Sequence, residues 1–222
     1  MPIQVQGSEG WLAEVGGTTF RALNVNARPI NYGIYGIYSI GAVSGTIAAG
    51  LSGNASIFQF RWAHPSALAL LYAVSVSAGR NVAPTVDQNP LNGINLVAFK
   101  GNTTSGSGGT TLSDFTPLQL RTMGTSKVTD MRIIATTALT LGTIASTYPL
   151  SIVQWPVTSG ALTIAMTGTF IHKIPLFEAI RGQCPYIMAD DEGFGLSTQW
   201  IQHTTMTWHL GVQLVWAEAE AF

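Results

Sequence analysis

The chain has 222 residues, enough for one large domain with a sizeable core, yet only 9% of them are charged, against roughly 25% in an ordinary soluble domain. Its net charge of −1, with ten scattered basic residues, excludes the electrostatic footprint of a nucleic-acid binder. Apolar residues reach 46%, but the longest apolar run, residues 67–74, is far short of the about 18 that a membrane-spanning helix needs.

Residues 1–30 mix short strand-like pieces with Gly, Asn, Arg and two Pro, and are expected to form an extended N-terminal arm that pairs with a neighbour. The start also lacks the basic stretch and apolar block of a secretion signal, so synthesis and use in the cytoplasm are expected. Residues 31–222 are expected to form a single β-sandwich domain. Segments rich in β-branched and aromatic residues predict strands at 19–25, 34–43, 57–62, 70–77, 95–99, 131–137, 164–171 and 194–200. In 57–62, Phe58, Phe60 and Trp62 fall on one face and Gln59 and Arg61 on the other, a polar one.

The clearest signal comes last. Met206, Trp208, Leu210, Val212, Leu214 and Trp216 alternate with Thr205, Thr207, His209, Gly211, Gln213 and Val215. A helix would spread these six apolar side chains around its circumference, whereas a strand puts all of them on one face. Turn-rich breaks are read at 16–17, 50–54, 79–84 and 89–93, and the Gly- and Ser-rich residues 101–111 as an exposed, flexible loop. Only 116–123 and 176–181 leave room for a helical turn or two. Many strands without intervening helices argue for an all-β fold, an antiparallel β-sandwich of jelly-roll type.

Little in the sequence carries chemistry. Residues 106–111 look like a phosphate cradle but have neither the Lys nor the following helix of a P-loop. Among the histidines His64, His172, His203 and His209, the last two share a parity, but six residues of strand hold them about 20 Å apart. His64 and His209 therefore read as surface or interface residues. Asp190, Asp191 and Glu192 lack the alternating spacing of a calcium loop and read as a solvated turn leading into Phe194. The single cysteine, Cys184, permits neither an internal disulfide nor a cysteine-based zinc site, and no nucleophile elbow is present. The expectation is no enzyme, with no catalytic, cofactor-binding or metal-binding residues and no cofactor.

Several segments together resemble a family of virion structural proteins of tailed bacteriophages. They include Phe20-Arg21-Ala22-Leu23, Ser44-Gly45-Thr46, Ile57-Phe58-Gln59-Phe60-Arg61-Trp62, Asp130-Met131-Arg132-Ile133, Asp191-Glu192-Gly193-Phe194 and Val215-Trp216-Ala217-Glu218, in an order that spans most of the chain. The tract 148–185, with Trp155-Pro156 and His172-Lys173, departs from that pattern and reads as the part adapted to a particular partner.

The resemblance implies a place in the virion and brings no catalytic residues. Capsid decoration is the expected role, that of a cement protein binding between capsomers and stabilising the head. The expected partners are further copies of itself, with a homotrimer favoured, and the major capsid protein; nucleic acid and membrane are not among them. Within the particle, a tail, neck or fibre position is the alternative. From another class, a carbohydrate-binding module for host attachment would need Trp11, Trp155 or Trp200 on an exposed platform.

Overall fold

The computed structural model describes residues 4–6, 12–14, 35–82, 91–113, 115–117, 125–156, 170–179 and 185–220. The chain divides into two compact units, Met1–Asn31 and Tyr32–Phe222. In the first unit β1 (Gln4–Gln6) and β2 (Leu12–Glu14) pair antiparallel. The strand expected at 19–25 lies outside the described residues.

The second unit is a β-sandwich. Its strands are β3 (Gly36–Val43), β4 (Ser56–Trp62), β5 (Ala67–Val82), β6 (Leu91–Lys100), β7 (Thr110–Thr111), β8 (Thr116–Pro117), β9 (Asp130–Ile133), β10 (Ser146–Pro156), β11 (Phe170–Glu178), β12 (Tyr186–Met188), β13 (Glu192–Thr198) and β14 (Thr207–Glu220). The first sheet has the order β10-β6-β13-β4-β9-β7, and the second β11-β5-β14-β3-β8, with β12 extending the β11 edge along β5. No helix occurs among the described residues.

Four nested antiparallel pairs organise the chain: β3 with β14, β4 with β13, β5 with β11 and β6 with β10. Each pair encloses the next in sequence, and successive pairs alternate between the sheets. A long hairpin wound in this way around a core is a jelly roll, the arrangement expected from the sequence.

β14 lies at the centre of the second sheet, hydrogen-bonded along its length to β3 and β5. Trp208, Leu210, Val212, Leu214 and Trp216 all face the core, and Met206 is buried just before the strand. β5 carries one residue more than its partner, Tyr72, opposite the step from Val215 to Trp216. Such a bulge reverses the parity of a strand. It allows Leu71 and Val74, of opposite parity within the apolar run 67–74, both to be fully buried.

The other wall of the core is aromatic. Phe60 stacks on Phe194 at 5.1 Å and meets Trp216 edge-on at 5.8 Å, while Tyr38 stacks on Trp216 at 5.6 Å. These offset and T-shaped arrangements suit the ring quadrupoles.

Three sequence expectations need correction. Residues 176–178 lie in β11, not in a helical turn, because pairing with β5 takes their backbone groups. Residues 79–82 do not break the chain but continue β5, held by Thr207, Trp208 and His209. Residues 91–93, read as part of a turn-rich break, instead open β6. Every residue of β4 is buried, Gln59 and Arg61 included, because the first sheet is covered on its outer side too.

Candidate functional site

That cover is the 101–111 loop, most of whose residues are exposed as expected but which is hydrogen-bonded to the sheet beneath it. Its Ser107 pairs with Thr140 in both directions, and Thr110 and Thr111 form β7 against β9. Beneath it the Arg61 Nε donates to the carbonyl of Asn102 at 2.6 Å, and a terminal nitrogen donates to the Thr103 carbonyl at 2.9 Å and to Asp191 at 3.2 Å. Asp130 accepts from the Gly106 amide and from Arg132 Nε. A Cβ at Gly106 would stand 2.9 Å from the Thr140 carbonyl and against the end of Gln59, so glycine is what allows the loop to close this tightly. Lys100 and Glu192 add a looser ion pair at 3.9 Å. The acidic run 190–192 is thus a structural turn, with Asp191 at φ +56° and tied to Arg61.

A second polar cluster closes one end of the sandwich. The parity that buries Trp216 also carries Glu218 inward, where its side chain is fully buried. Its carboxylate accepts from Ser126 Oγ at 2.6 Å, from the Lys127 amide at 3.0 and 3.1 Å, and from Trp216 Nε1 at 3.1 Å. A buried carboxylate is tolerable only with such partners. Here they tie residues 126–127 to the core. Burial, and then the charge of Glu218, raise the Tyr38 phenol above its ordinary value; burial and then Glu192 push Tyr186 up to about 12.

The surface offers two features of a size to meet a partner. The outer face of the second sheet holds an open groove of about 300 Å³, lined by Gly41, Val43, Ser75, Ser77, Lys173, Gly211 and Gln213. A Cβ at Gly41 would meet nothing within 4 Å, so the missing side chain leaves open space.

The other feature is β10, an edge strand of the first sheet among the described residues. Its eleven residues include no charge, and Tyr148, Leu150 and Ile152 are 50%, 38% and 53% exposed. A bulge at Leu150 exchanges the faces, so Tyr148 shares the side of Ala98 and Ile152 that of Asn95, and apolar side chains show on both sides of one strand. β10 lies beside β11, and the exposed Ile187 of β12 belongs to the same lateral edge.

The residues singled out from sequence are dispersed. His203 is buried just before β14, His209 reaches the Gly45 carbonyl at 3.2 Å, and His64 sits at a turn 3.3 Å from Lys127 Nζ. The side chain of His172, together with Cys184 and Trp11, lies outside the described residues. Among the described residues, no three of His, Cys, Asp and Glu gather into a metal-binding group. Trp155 is buried against Trp208, their rings 6.4 Å apart, and Trp200 is half-buried. β10 is not apparent in the sequence because Pro149 and Pro156 interrupt it; proline is tolerated on an edge strand, where half the amides have no ladder partner to lose. No protein-family model and no curated protein matches the chain.

Proposed function

We propose that the chain is a structural protein of a tailed-bacteriophage virion, and within it a capsid decoration protein that binds between capsomers and stabilises the head. The observation that carries this reading is the uncharged, largely apolar edge at β10, which has no partner on its outer side among the described residues. Edge strands are ordinarily protected by charge, because a row of free amides and carbonyls recruits other chains. On β10 two prolines, Pro149 and Pro156, and the bulge provide such protection, no charge does, and the exposed side chains include Tyr148, Leu150 and Ile152. An edge of this kind suits permanent contact with protein.

Support also comes from the composition, with 21 charged residues among 222, and from the fold, since jelly rolls recur in capsid architecture. Fold analogy alone assigns no function, so the weight rests on the surface. Further copies of the chain, in a closed homotrimer, are the first partners, and the major capsid protein is the second. A tail, neck or fibre position would use the same edge. The carbohydrate-binding reading loses Trp155, whose ring is inside the core.

Light scattering on the purified protein tests the first contact. A stable trimer that Ile152→Asp converts to a folded monomer supports the reading. A monodisperse wild-type monomer at micromolar concentration removes its main argument.

A further inference from the structure

The 125–129 segment is a strap across one end of the sandwich. Glu218 of β14 holds its Ser126 hydroxyl and Lys127 amide, and Thr129 Oγ1 accepts from the Ala63 amide at 3.0 Å and donates to the Ala63 carbonyl at 3.3 Å. The Lys127 side chain then folds back. Its ammonium lies 4.2 Å from the centre of the Tyr35 ring and 3.3 Å from His64 Nε2.

The second imidazole nitrogen of His64, Nδ1, faces another donor, the Ser66 amide at 3.4 Å. A neutral imidazole has one acceptor nitrogen to offer and an imidazolium has none. Both neighbours of this ring are donors, and one of them is a cation. The remaining face of the ring is turned to Trp62, at 6.1 Å and tilted by 33°, which carries no charge. Among the described residues the charged group in contact with the ring is Lys127; behind it is the Glu218 carboxylate that grips the Lys127 backbone, and Glu220 pairs across the sheet with Ala67, whose amide donates to the His64 carbonyl. No carboxylate lies within ion-pair distance of the ring among the described residues.

We infer that His64 and Lys127 form a proton-sensitive latch: with His64 neutral the ring accepts the Lys127 ammonium and the strap is held, and with His64 protonated two cations oppose each other and the strap loosens. Histidine is the side chain whose ordinary charge change falls between pH 5 and 8, so the test spans that range. The inference does not depend on the virion reading, since it uses only the end of the sandwich.

Amide hydrogen exchange on the full chain, corrected for the intrinsic effect of pH, provides the test. Between pH 8 and pH 5 the amides of Lys127 and Val128 should lose protection by about tenfold, equivalent to about 1.4 kcal/mol. His64→Gln, whose amide oxygen accepts from Lys127 at either pH, should abolish that loss. Lys127→Met should abolish it too, since no cation then faces the ring. An equal acid-induced loss in His64→Gln would assign the effect to another group, such as Glu218, and overturn the latch. Unchanged protection in the wild type would overturn it as well.

Discussion

Replacing Trp216 by Ala removes the side chain on which the two walls of the core converge. Trp216 is fully buried, stacked on Tyr38, met edge-on by Phe60 and by Phe115 at 5.3 Å, and bonded through Nε1 to Glu218. Truncating a Trp in such a setting costs about 3–5 kcal/mol, a large part of the 5–15 kcal/mol typical of total stability. At about 2–4 °C per kcal/mol for a domain of this size, the melting temperature should fall by roughly 6–20 °C. Trp216→Phe keeps most of the ring contacts and loses chiefly the indole bond; Glu218 retains Ser126 and Lys127, so the cost should be about 1–2 kcal/mol. Urea unfolding followed by near-ultraviolet circular dichroism measures both. If Ala costs under about 1 kcal/mol, or Phe costs as much as Ala, the convergence of the core on this ring is wrong.

Other expectations are equally direct. Leu210→Asp places a carboxylate at a fully buried position and should unfold the protein, whereas Gln213→Asp, exposed on the outer face, should stay within about 0.5 kcal/mol of wild type; equal effects would mean that β14 has the other register. Arg61→Met leaves the Asn102 and Thr103 carbonyls without their donor and should cost about 2–4 kcal/mol, with new protease cleavage in 101–111; an intact loop would contradict the pinning. The Tyr186 phenol is raised by burial to about 12 in the folded state, against about 10 when unfolded. Its contribution to stability is therefore fully present below pH 10 and lost as pH rises through about 12. Tyr186→Phe should flatten the alkaline fall in stability, and an unchanged slope would refute that assignment.

What the sequence disclosed was what period two encodes. β14 and β4 alternate cleanly, so their core faces are legible from the residues alone. β10 is not, since two prolines and a bulge break the alternation while the edge position makes them harmless. Gln59 and Arg61 look like solvent-facing residues in β4, and their burial depends on a loop some forty residues away, a tertiary fact with no local trace. Glu218 lies on the inward parity of β14, but a carboxylate in the core is credible only once Ser126 and Lys127 are known to meet it. The jelly-roll order of the strands likewise follows from pairings between segments far apart in the chain.

The central claim, that the protein occupies the head lattice, is tested most directly by its copy number in purified virions relative to the major capsid protein. Decoration of the lattice predicts copies in the hundreds, in fixed proportion to the capsid subunits. A handful of copies, or none, would contradict it and move the protein to the tail or neck, or out of the particle.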